Sequence, residues 1–242
     1  MHDHSSSPPA SLPGVTPASR RARIGRIGTR ALSGAVLAAP LVAALAGAAS
    51  AYTVTIAAAA PQTIYLQVGV GSFTNNYNAG GTPQNNTTID TVSVTLASTA
   101  VGNKTAQAMT ANTPTTNSFY DGYAYCTVPA GQLYIGGFFR TAGAPTAAAQ
   151  VTATVPAALT NAAGNTIPFS KISWTSGGNA DPGTPPAEPF PSGTFINGGV
   201  QNVGAMASNT WNESCWTFSY LNNTVPAAGT FSGVVLYTMS AP

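Results

Sequence analysis

Residues 214–221 read Ser-Cys-Trp-Thr-Phe-Ser-Tyr-Leu. In an extended chain, side chains alternate between two faces. Trp216, Phe218 and Tyr220 therefore share one side, and Cys215, Thr217 and Ser219 share the other. A period of two carried by large aromatics marks a strand with one face in a core. The same alternation recurs along the chain: Ile64, Leu66, Val68 and Val70; Val92, Val94 and Leu96; Val151, Ala153 and Val155; Ile172 and Trp174.

No window between residues 52 and 242 places apolar residues at helical spacing. Turn signals separate the extended runs: the Gly/Asn-rich stretch 71–88, residues 102–117, the turn 160–165 and the segment 222–229. Nine or ten short strands are expected. Strands without helices must cover their apolar faces with another sheet. The expected fold is an all-β Greek-key sandwich, immunoglobulin-like or pilin-like. Gly136-Gly137 inside "QLYIGGFFR" predicts a bulge or a close backbone approach. The stretch 177–192 is too rich in proline for regular structure and is expected to be a loop.

The amino-terminal part differs in kind. Arg20, Arg21, Arg23, Arg26 and Arg30 precede an uncharged Ala/Leu run, residues 31–50, that ends in Ala49-Ser50-Ala51. A basic region, an apolar region and a small-x-small site together form a secretory signal pattern. Residues 1–51 are expected to be removed, leaving 52–242 as a single domain with no membrane span. The expected location is secreted: periplasm, cell surface or extracellular.

Cleavage changes the chemistry available. Both histidines of the 242-residue chain, His2 and His4, lie in the removed part. Without histidine, a Ser-His-Asp or Cys-His site cannot form, nor can a histidine-bearing zinc site. No cofactor or metal is expected. The remaining charges are Lys104, Arg140 and Lys171 against Asp90, Asp121, Asp181, Glu188 and Glu213. With no basic patch, nucleic acid is not an expected partner. Cys126 and Cys215, two cysteines in an exported chain, are expected to form a disulfide.

Three functional classes remain, and they differ in how far the residues support them. A glycan-binding module would stack sugars on exposed aromatics, with Trp211, Tyr123 and Tyr125 as candidates. Trp211 is the first of these because its surroundings read as a loop. A carboxylate hydrolase or lyase would need two acids flanking one bond, about 5–10 Å apart, and no two of the five are close in sequence. The third class is a non-enzymatic structural subunit, whose Thr/Ser/Asn-rich, nearly uncharged composition suits extracellular polymers.

Both ends of the mature chain carry a family likeness. "YTVTIAAAAPQTIYLQVG" (52–69) resembles the amino-terminal strand of bacterial fimbrial subunits of the colonisation-factor, alternate chaperone–usher type. "AGTFSGVVLYTMSAP" (228–242) is similar to their closing strand. "PFSKISWTS" (168–176) is similar to segments of secreted bacterial β-sandwich proteins. The resemblance implies assembly of copies, or of related surface subunits, through β-strand complementation. Val54 and Ile56 would be donor positions, and Phe231, Val235 and Tyr237 would line the acceptor. The expected function is thus a surface or fimbrial-type adhesion subunit that is not an enzyme.

Overall fold

The computed structural model of the protein describes residues 52–113, 116–127, 129–143, 147–178 and 188–242. The expected signal segment 1–51 and most of the expected proline-rich loop, residues 179–187, lie outside the described residues.

The described chain is all-β, with sixteen strands in place of the nine or ten expected. In chain order they begin with β1 (Tyr52–Thr55), β2 (Thr63–Val68), β3 (Val92–Ser93), β4 (Gln107–Ala108), β5 (Thr110–Ala111) and β6 (Thr116–Asn117). Next come β7 (Ala124–Cys126), β8 (Leu133–Arg140), β9 (Ala149–Val155), β10 (Ala158–Thr160) and β11 (Thr166–Pro168). The last are β12 (Ile172–Gly177), β13 (Gly193–Thr194), β14 (Gly199–Met206), β15 (Thr210–Tyr220) and β16 (Leu236–Ser240). The surplus consists of two- and three-residue pieces such as β3 to β6. They are too short to show a period, so alternation cannot reveal them.

Two antiparallel sheets make the sandwich. The larger has the path β13-β12-β15-β8-β2, with β1 and β4 also on β15; the smaller has the order β14-β9-β16. The long strand β15 organises the first. Its initial half lies between β1 and β8, so that Trp211 faces Val54 on one side and Phe138 on the other. Its second half lies between β12 and β4, with Ser219 opposite Ser173 and Ala108.

The core between the sheets follows the alternation. Ile135, Phe139, Trp174, Trp216 and Phe218 meet Val151, Ala153, Val155, Val203 and Met206. Trp174 packs on Trp216 with ring centroids 4.9 Å apart, and the Trp216 indole donates to the Phe190 carbonyl at 3.2 Å. A buried tryptophan finds a partner for its N–H in this way.

The larger sheet is covered on its other face as well. Tyr65, Tyr134, Phe138, Trp211 and Cys215 point away from the sandwich core, into two further apolar clusters. The segments that carry Phe73, Tyr77, Phe119, Tyr120 and Tyr125 cover them. This third layer explains why β8 is buried along nearly its whole length rather than at every second residue. A strand covered on both faces loses its polar side.

Gly137 meets the expectation of close approach. A Cβ there would lie 1.9 Å from the carbonyl oxygen of Tyr65, its diagonal neighbour across the β2–β8 ladder, in which Gly137 itself faces Leu66. Since the obstacle is backbone, Gly137→Ala is expected to destabilise by about 3 kcal/mol. Gly143→Ala, with no atom within 4 Å of the added carbon, should shift the urea midpoint little.

The carboxyl-terminal strand sits in the smaller sheet, where among the described residues it pairs with β9 on one side and with no strand on the other. The apolar residues on both its faces predict a strand in the middle of a sheet. The structure instead leaves Val234 and Leu236 exposed, while Val235, Tyr237 and Met239 pack toward the core.

Candidate functional site: a buried carboxylate beneath the first strand

Residues 211, 213 and 215 share one face of β15, and that face carries Trp211, Glu213 and Cys215. The parity that buries the tryptophan and the cysteine also buries the acid between them. Glu213 has no exposed surface. Its Oε2 accepts from the Tyr134 hydroxyl at 2.6 Å and from the Trp211 indole N–H at 3.0 Å. Its Oε1 is buried without a hydrogen-bond partner.

The electrostatics follow from that placement. Burial pushes the Glu213 carboxyl up to about 7, because a charge far from water is costly. The hydrogen bonds from Tyr134 and Trp211 favour the charged form, as does the nearby Ser118 hydroxyl, and Asp121 opposes it. The Tyr134 hydroxyl is pushed well above its ordinary range, first by burial and then by Glu213. No cation is among these causes.

Gly136 makes the arrangement possible. A Cβ at Gly136 would stand 2.3 Å from the Tyr134 hydroxyl and 2.9 Å from the Glu213 Cβ. The first glycine of the pair thus leaves room for the tyrosine–glutamate hydrogen bond.

β1 closes over this group. Tyr52 lies opposite Glu213 in register. Its backbone N–H donates to the Tyr125 hydroxyl at 3.2 Å, and that hydroxyl donates to the Glu213 carbonyl at 2.7 Å. The Tyr52 hydroxyl donates to Asp121 Oδ2 at 2.9 Å. Val54 and Ile56 join the cluster around Trp211, where Tyr77 and Phe138 stand 5.2 and 5.7 Å from the indole, centroid to centroid.

The expected disulfide is present. Cys126 and Cys215 are bonded with their Cα atoms 5.4 Å apart, two residues from Glu213. It fastens β7, part of the covering layer, to the central strand.

Several expected site residues stand elsewhere than the sequence places them. Trp211 is not a surface residue in a loop: it lies in β15 with 0% exposure. Tyr125 is also buried, its hydroxyl committed to Glu213. Both are interior because the face of β15 away from the sandwich core has its own cover. Tyr123 alone of the three is exposed, at 74%. The three do not make a stacking platform.

The donor and acceptor candidates are also apart. Val54 and Ile56 belong to the β1 seat on β15. Val235 and Tyr237 pack with the other sheet's core, where Tyr237 pairs with Ala153 of β9. Phe231 is half-buried just before them. Within one chain, the two end segments do not adjoin as donor and acceptor.

Of the acids, sequence spacing brings no two together, whereas the fold brings Asp121 close enough to Glu213 to affect its titration. Glu188 lies on the opposite face of β15, with its Oε2 accepting from Ser214 at 2.9 Å and Ser176 at 3.3 Å. Burial raises its carboxyl, and the two serines pull it back. Glu213 is sealed from solvent, and burial makes its carboxyl give up its proton at a higher pH than an exposed glutamate does. No protein-family model, curated protein or solved structure matches the chain.

Proposed function

We propose that the protein is an exported, non-enzymatic surface or fimbrial-type structural subunit whose copies join by exchanging β1. The observation that carries this reading is the seat of that strand. β1 is four residues long, pairs among the described residues with β15 alone, and is joined to β2 by the seven-residue connection 56–62, which is largely exposed beyond Ile56. A short edge strand on such a connection can be replaced by the same strand of a neighbour with every contact kept.

In this reading Val54 and Ile56 keep their donor role. The acceptor is β15 and the aromatic cover around Trp211, rather than Phe231, Val235 and Tyr237. The disulfide supports an oxidising compartment, in keeping with the signal pattern of residues 1–51. The immunoglobulin-like or pilin-like form of the sandwich and the kinship with fimbrial subunits belong to the same proposal.

A cross-strand cysteine pair tests it. Thr53 and Asn212 are register partners whose side chains touch at 3.1 Å. Oxidising the Thr53→Cys/Asn212→Cys variant at high protein concentration should give a ladder of covalent multimers on a denaturing gel. Closure within single chains only, at every concentration, would overturn the exchange.

A further inference from the structure

We infer that the open edge of β16 pairs with the same edge of a second copy, antiparallel and centred on Thr238. β16 ends the three-stranded sheet, and among the described residues no strand pairs with its outer side. A row of unpaired amides and carbonyls is satisfied by another extended strand.

The two edges of this sheet are treated differently. β14, at the far side, has a register shift between Asn202 and Gly204, and such a bulge discourages further pairing. Residues 234–240 have no charge, no proline and no bulge against β9. One edge is blunted and the other is left able to pair.

The side chains favour a second copy as the occupant. In a two-fold pair each position meets its symmetry mate, so any charge near the axis would face its own kind. β9, β14 and β16 contain no charged residue. Centring on Thr238 sets Tyr237 opposite Met239 and Val235 opposite Ala241. All four are half-buried and pack toward the core, so the two interiors would join without a polar break. On the outer face Leu236 would meet Ser240, and Thr238 would meet Thr238.

Val200 and Leu236 flank Thr154 in one row across the outer face, exposed at 66% and 63%. The row would continue into the second copy.

This pairing does not depend on β1 exchange. Sedimentation velocity of the full mature chain should show a dimer that Thr238→Lys and Thr238→Asp each reduce to monomer, because like charges then meet on the axis. Mixing the two variants should restore the dimer. The side chain at 238 points to solvent, so circular dichroism of each variant should match the parent. A parent that stays monomeric, or a Thr238→Lys chain that associates as the parent does, would overturn the inference. Multimers that survive Thr238→Lys but vanish on deletion of residues 52–60 would assign association to β1 alone. Oxidised Thr238→Cys gives a second readout: a single covalent dimer if the edges meet, and no cross-link if they do not.

Discussion

Replacing Cys126 and Cys215 together by alanine is expected to lower the stability of the fold by about 4–5 kcal/mol. The two residues are 89 apart in sequence, and the chain-entropy relation gives about that value for a loop of this size. It is a large share of the 5–15 kcal/mol typical of a domain. For a domain of this length the melting temperature should fall by on the order of 10 °C. The bond also has a local role, since it anchors β7 to β15 beside Glu213. Without it, the layer over Trp211 and Tyr134 is held by aromatic contacts and by hydrogen bonds such as those of Tyr125 and Asp121. Tryptophan fluorescence should therefore shift before far-ultraviolet dichroism in a thermal scan of the double variant. Equal midpoints for parent and variant would show that the bond contributes nothing to the folded layer.

The sequence is informative where one physical signal dominates. Alternation places Trp216, Phe218, Trp174, Val151 and Val155 in the core, where they stand. The cysteine pair is legible from its count and from the secretory-signal pattern expected of residues 1–51. The covering layer is a different case. Residues 71–88 and 102–117 are rich in Asn, Thr and Gly and lack a period, so they resemble surface loops. Yet Phe73 and Tyr77 project from the first over the sheet, and Phe119 and Tyr120, just after the second, do the same. Aromatics in an aperiodic stretch were the available signal, because isolated rings seldom stay in water when a sheet face is free to take them.

The same omission misplaces Trp211. Its neighbours Asn209, Thr210 and Asn212 look like turn residues, whereas parity with Cys215 puts the indole inside. Extending the alternation back by four residues would have found both Trp211 and Glu213. Sequence separation hides the rest of the site: Tyr134, Asp121 and Tyr52 lie 79, 92 and 161 positions from Glu213. Pairing of β1 and β8 with β15 brings Tyr52 and Tyr134 to it, and the covering layer brings Asp121. The sites Asn212 and Asn222, each opening an Asn-x-Ser/Thr sequence, give a parallel lesson. Both are buried. The Asn222 amide donates to Ala100 O and Asn103 Oδ1, each at 2.9 Å, in a role no short motif discloses.

Stability should fall as pH rises from about 4.5 to about 7, and Glu213 should be the principal cause. An unfolded glutamate titrates at 4.5, whereas burial holds this one at about 7 in the fold. Below the lower value the acid is protonated in both states and its favourable contribution is complete. Between the two values the unfolded chain gives up its proton while the fold retains it, so each pH unit costs about 1.4 kcal/mol. Above the upper value the loss is complete, at about 3 kcal/mol. Glu188 is raised in the same direction and adds to the slope. The protonated form of Glu213 suits its surroundings, because no cation is at hand to balance the anion and Asp121 opposes it. Ionisation then acts directly beneath Tyr52, the first residue of β1. Urea titrations at pH 4.5, 6 and 8 measure the slope. Glu213→Gln keeps an oxygen that can accept from Tyr134 and Trp211 but cannot ionise. It should flatten most of the slope and leave the variant more stable than the parent at pH 8. A slope unchanged by Glu213→Gln would show that the buried carboxyl is not the group that titrates. Slower covalent laddering of Thr53→Cys/Asn212→Cys at pH 8 once Glu213→Gln is added, compared at that one pH because thiolate reactivity itself rises with pH, would tie the same proton to the release of β1.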